Sequence, residues 1–283
     1  VPAPLPESLA HRFPGLVRPA LALRLTAAPP AAGLSQLGGH PYVDAAHPWP
    51  LDARGRAMAF LAQVNLGELP ALPGFPRRGL MQFFLADDPH HGLFAEGGHL
   101  VRFLPDVPAG GASRGGLRGI FGRSRTPAPG AAFPPPEFNP LVDPRVPHGL
   151  QGVPVLALPR LGSVEFGGEG NELLPDELVA ALTGLARERG LDRVAHAADE
   201  WEAYDMAAAA LVPPGQLTLG GFPDFVQADP RQSPDQAALL TVRSGGSARV
   251  VDWGGDLGVG CFFAASETIE AGDLTATGFS WDV

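Results

Sequence analysis

Leu37-Gly38-Gly39-His40-Pro41 returns late in the chain as Leu219-Gly220-Gly221-Phe222-Pro223, and the segments downstream of the two copies decide how the fold is read. After the first comes the strand-like run Phe60 to Leu66, and after the second comes Ala238 to Ser244. Phe60, Ala62, Val64 and Leu66 on one face match Ala238, Leu240 and Val242. Leu61, Gln63 and Asn65 on the other match Leu239, Thr241 and Arg243. Period-two alternation of this kind predicts half-buried strands. A third pair of blocks comes next in the same order, Gly79-Leu80-Met81-Gln82-Phe83-Phe84 and Gly258-Val259-Gly260-Cys261-Phe262-Phe263. Three blocks in one order predict an internal duplication. Each unit reads as a Gly-Gly turn, a proline-stiffened extended segment, a strand, a loop and a second buried strand.

Outward from these units, the clearest helix runs from Pro175 to Arg189. Acids open it, Leu178, Leu182 and Leu185 give it an apolar stripe, and Gly190 stops it. A second helix is expected over Asp199 to Leu211, ended by Pro213, Pro214 and Gly215. The expected fold is therefore α+β and β-rich, with two related β units and one or two helices between them. The expected divisions are a unit at 1–109, a Gly/Pro/Arg-rich excursion at 110–149, a strand and helical connection at 150–216, and the second unit at 217–283, all in one body.

The 283 residues include 37 Gly and 32 Pro, but with 45% apolar residues and 16 Phe the chain can bury a large core, so these glycines and prolines read as turns. No lysine is present. That excludes Schiff-base chemistry, Walker-type phosphate loops and kinase-type lysines. A net charge of −10 argues against nucleic acid as the main partner and suits a basic protein partner. The Arg114 to Arg125 stretch would be the place for any nucleic-acid contact. Cys261, the single cysteine, stands in an apolar run and reads as a buried, unreactive thiol in a reducing compartment. No stretch suits a membrane span and none resembles a secretion signal, so a cytoplasmic location is expected.

Chemistry is harder to find. Asp87, Asp88, His90 and His91 are the densest metal-type group, yet their spacing fits no zinc pattern and matches a solvated hairpin turn. His40, Asp44 and His47 read as loop residues. Glu165, Glu169, Glu172, Asp176 and Glu177 cluster where carboxylates favour the positive end of the helix beginning at Pro175. Neither a Gly-x-Ser-x-Gly elbow nor a Ser/His/Asp triad declares itself. What remains are polar and aromatic residues inside or beside apolar runs: Gln63, Asn65, Trp49, Gln227, Asp252, Trp253 and Asp256 as candidate ligand contacts. Gln63 and Asn65 share a strand face, and if it is covered their amides need partners, either loops of the chain itself or a ligand.

The blocks from Ser35 to Val43, His47 to Pro50, Ala59 to Pro70, Gly79 to Phe84, Leu219 to Gln227 and Trp253 to Phe263 together resemble the YwqG-like family of bacterial proteins of unknown function. The resemblance implies a β-rich α+β fold and no transferable reaction, cofactor or catalytic residue. It also implies a cytosolic accessory role, in some members near toxin-immunity loci. The expected function is a non-enzymatic binding or interaction module without a cofactor. The competing expectation is a hydrolase or metal-dependent enzyme, centred on Asp87, Asp88, His90 and His91 or on Gln63 and Asn65.

Overall fold

A computed structural model describes residues 5–27, 31, 33–107, 136–168, 173–212, 215–246 and 249–283. Its ten strands form one sheet, paired antiparallel throughout: β1 (Arg18–Thr26), β2 (Gln36–Leu37), β3 (Ala59–Asn65), β4 (Leu80–Leu85), β5 (His99–Leu104), β6 (His148–Ala157), β7 (Leu217–Gly220), β8 (Gln236–Arg243), β9 (Val259–Ala265) and β10 (Gly278–Asp282). Four helices accompany them among the described residues: α1 (Glu7–Arg12), α2 (Asp176–Glu188), α3 (Glu200–Leu211) and α4 (Ser266–Ala271). The two expected helices are α2 and α3. Pro175 stands at the N-cap position of α2 without a side-chain cap, Gly190 adopts φ 71° just past its end, and the Asp199 carboxylate accepts the Glu202 N–H at the start of α3. Helices α1 and α4 lie outside the stretch between the β units, where none was expected.

The strand order is β10-β9-β8-β7-β1-β6-β2-β3-β4-β5. Exchanging β1 with β6, β2 with β7, and so on to β5 with β10, returns the same order reversed. β1 pairs with β7 and β6 pairs with β2, so each opening strand sits beside the second strand of the other half. Both Gly-Gly pairs turn the chain in the left-handed region, at φ 68° and 74° for Gly38 and Gly39 and at 75° for Gly220 and Gly221. A side chain would be strained there. It would also be crowded, since a Cβ on Gly39 would lie 2.7 Å from Pro147 and one on Gly221 2.8 Å from Ala157.

Strict alternation along β3 and β8 does not hold. Both strands carry a bulge, between Phe60 and Ala62 against β4 and between Ala238 and Leu240 against β9. The extra residue in each, Leu61 or Leu239, turns into the core together with Ala62 and Val64 or Leu240 and Val242. Phe60 and Ala238 are left on the opposite face, with Phe84 and Phe263 respectively. A bulge adds one residue to one strand and so exchanges faces along it. Nor is β3 half-buried: all seven of its residues are buried.

One face of the sheet surrounds the main core, including Leu21, Leu23, Met81, Phe83, Leu219, Leu240 and Phe262. Leu141 joins this core, and its neighbour Val142 donates to the Val250 carbonyl, so the described end of the 110–149 stretch is tied down. A second core forms where α1, α2 and α3 cover part of the outer face, with Leu178, Leu182 and Tyr204 against Leu156 and Leu158.

The two edge strands approach each other through side chains. His99 Nε2 donates to the Thr277 carbonyl at 2.8 Å, His99 packs on Phe279, and Trp281 Nε1 donates to the His90 carbonyl. The His91 ring lies edge-on to Trp253 and Trp281. Burial pushes both His91 and His99 below the ordinary imidazole value of 6.5. The folded seam thus holds fewer protons than the unfolded chain as pH falls, and stability present above 6.5 is lost progressively below it. Urea midpoints measured at pH 7.5 and pH 5.5 should fall on acidification in the native chain and fall less in a His91→Phe/His99→Gln variant. An equal fall in both would remove the seam as the cause.

Candidate functional site

Gln36, Gln63, Gln82 and Arg102 face one another in register across β2, β3, β4 and β5 on the outer face of the N-terminal half. This row is closed by the chain itself. Gln36 Nε2 donates to the Gly38 and His40 carbonyls, and Gln63 Nε2 to that of Leu34. Gln63 Oε1 accepts from the Tyr42 N–H at 2.8 Å and from Gln82 Nε2. Arg102 grips Gln82 Oε1 with Nε and Nη2 while its Nη1 reaches the Pro48 carbonyl. Asn65 completes the seal by donating to the Gly33 carbonyl at 2.8 Å. The amides of Gln63 and Asn65 are thus spent on the loop from Gly33 to Pro48 that lies over them.

The corresponding row in the C-terminal half is Thr218, Thr241, Cys261 and Ser280, again in register, across β7, β8, β9 and β10. Thr218 is half-buried and Thr241 is buried. Between α3 and the sheet lies a cleft of about 920 Å³. Ala22, Val153, Val155 and Ala157 of β1 and β6 contribute its apolar floor, Ala208, Ala209 and Val212 come from α3 and its end, and Thr218 and Thr241 also line it. Farther along the row, Thr241 Oγ1 meets Cys261 Sγ at 3.4 Å, and burial pushes that thiol up to about 12. The cysteine is inert at neutral pH.

Three charged side chains stand together in the cleft wall. Arg243 is in ion-pair contact with Asp224, and Arg160 Nη1 approaches the same carboxylate at 3.5 Å. Arg160 is half exposed, at 48%. Arg243 is pushed down to about 10, by burial first and by the like charge of Arg160 second, and its buried Nε has no hydrogen-bond partner among the described residues. Beside this cluster runs a buried ionic network. Arg231, whose side chain is fully buried, forks onto both oxygens of Glu165 at 2.7 and 2.6 Å and also binds Asp229. Glu165 is therefore an ion partner of Arg231 and Arg18, correcting its reading as a carboxylate placed for the helix dipole.

The other residues singled out from sequence are dispersed. Trp49 lies on the N-terminal outer face against Phe84, its Nε1 donating to the Met58 carbonyl. Trp253 is buried at the seam, with its Nε1 on the Val242 carbonyl. Asp252 accepts from Gly254 and Gly255 and holds that turn, while Asp256 is exposed. Gln227, also exposed, reaches the carbonyl of Val283. Asp87 accepts from the backbone of Glu137 and Phe138, and Asp88 from that of His90 and Gly92. Among the described residues no group of three or more His, Cys, Asp or Glu could hold a metal ion. Arg114, Arg118, Arg123 and Arg125 lie outside the described residues. Arg160, Asp224 and Thr218 carried no sequence signal of their own, whereas Thr241 and Arg243 were already aligned with Gln63 and Asn65.

A family model for a domain of unknown function, DUF1963, matches residues 35–283. The chain belongs to that family. The DUF1963 match takes in β2 through β10, and so all of both polar rows, while α1 and β1 precede it. No curated protein matches the chain. Among the described residues of this DUF1963 protein, no helix is long and apolar enough to cross a membrane.

Proposed function

We propose that this DUF1963 protein is a non-enzymatic binding module that holds its ligand in the cleft over β1, β6 and β7. One observation carries the reading: the outer row sealed by amides and a loop in one half lies beside an open, mostly apolar cleft in the other. Its size falls in the range of small-molecule sites, and a few polar groups converge on it. The polar groups near the cleft suit binding better than catalysis. Asp224 is held by two guanidiniums, and burial raises the Cys261 thiol and the Tyr204 hydroxyl. The scaffold is best understood as two copies of one five-strand unit that exchanged their first strands, supported by the reversing strand order, the paired bulges and the paired Gly-Gly turns. A cytoplasmic, YwqG-like accessory role fits the same reading, with the acidic surface beyond the cleft left for a basic protein partner.

Methyl NMR with a panel of small organic fragments tests the site. Shifts are expected to cluster on Val153, Val155, Ala208 and Thr218. A panel that perturbs only methyls elsewhere would overturn the assignment.

A further inference from the structure

We propose that the ligand of the cleft is a single aliphatic chain headed by a carboxylate. The inference rests on the binding-module reading and adds the chemistry of the occupant. Charge comes first. Arg24, Arg160 and Arg243 line the cleft against Asp205 and Asp224, so three cations face two anions and one positive charge is left over. One monoanion balances it, whereas a phosphate dianion would leave an excess negative charge beside Asp224.

Donor capacity comes second. A guanidinium offers five N–H groups in a planar fork suited to a planar carboxylate. Arg243 spends Nη2 on Asp224, and the half-exposed Arg160, whose guanidinium lies over the Phe225 ring, makes a long 3.5 Å contact with the same carboxylate. A second carboxylate seated beside Asp224 would pair with Arg160 and with the accessible part of the Arg243 guanidinium.

The apolar part of the cleft sets the body of the ligand. Ala22, Val153, Val155 and Ala157 give a floor of short aliphatic side chains, and the α3 side adds Ala208 and Ala209. A flat ring system would find neither Phe222 nor Tyr204 free to stack on it. The Phe222 ring is covered by the Arg18 guanidinium 4.4 Å away, and Tyr204 is buried with its hydroxyl on the Pro159 carbonyl. A flexible chain needs no such partner and gains with each methylene it buries.

Calorimetric titration of the full chain with hexanoate, octanoate and decanoate, each below its micellar concentration, tests the proposal. Affinity should rise roughly four-fold per methylene buried. Decanoate should bind at least about ten-fold more tightly than decanol or decyltrimethylammonium, as expected for a charge-assisted contact. Arg160→Gln, at a half-exposed position, and Arg243→Gln should each remove most of the decanoate-over-decanol preference, read as the ratio of the two affinities within each variant. Should fragments shift the cleft methyls while decanoate binds no better than decanol, the carboxylate inference fails and the binding-module reading stands. Should an apolar peptide with a free C-terminal carboxylate bind where alkanoates do not, the aliphatic chain is the wrong body. Absence of any fragment or alkanoate from the cleft overturns both.

Discussion

Replacing Arg231 by Leu is expected to cost about 3–5 kcal/mol of folding stability, the range found when one partner of a buried ion pair is removed. The guanidinium side chain is fully buried and binds both oxygens of Glu165, both of Asp229 and the Gln236 carbonyl. Glu165 and Asp229 are themselves 2% and 3% exposed, so removing Arg231 leaves two carboxylates buried without their cation. Asp229 keeps backbone partners at Val164 and Arg231, whereas Glu165 is left with only Arg18 at 3.8 Å. Arg231→Lys should recover little, because an ammonium cannot fork onto two carboxylates. A Glu165→Leu/Arg231→Leu pair should recover much of the loss, since it removes the stranded charge together with its partner. Urea denaturation of the three variants provides the check, and a cost under about 1 kcal/mol for Arg231→Leu would mean that the network is solvated, in the range of surface pairs.

Gln63→Leu is expected to cost about 3 kcal/mol, and Thr241→Val at the corresponding position less than about 1 kcal/mol. The first change strands the Tyr42 N–H and the Leu34 carbonyl, while the Gln82 amide keeps the Tyr42 carbonyl and Arg102, and a buried group left without a partner costs about 1–3 kcal/mol. The second removes only a contact with the weakly bonding thiol of Cys261. The same urea measurement compares them. Equal costs would show that the two rows are held alike, and the contrast between a sealed and an open half would be lost.

Much of the scaffold was legible in sequence because its signals are local. Gly-Gly followed by proline needs only backbone sterics to mark a turn, and Pro175, Asp199 and Gly190 mark helix ends by hydrogen-bonding rules that hold within one turn. The bulges at Leu61 and Leu239 were not legible, because a bulge is defined against the partner strand and leaves no mark on composition. The role of Glu165 was hidden for a similar reason. Its partner Arg231 lies 66 residues away, and only the fold brings them together. The cleft was half visible. Alignment of the matched sequence blocks set Thr241 and Arg243 against Gln63 and Asn65, and replacing two amides by a short hydroxyl and a guanidinium is a change in chemistry at matched positions. What could not be read was that a cleft lies beside Thr218 and Thr241 in one half, while the loop from Gly33 to Pro48 covers Gln63 and Asn65 in the other.

A crystal structure of the protein soaked with 10-bromodecanoate tests the central claim most directly, because bromine marks its own position by anomalous scattering. The predicted result is a bromine peak among Val153, Val155 and Ala208, with the carboxylate on Arg243 and Arg160 and no peak over Gln36, Gln63 and Gln82. A peak over the amide row, or an empty cleft, would contradict the account.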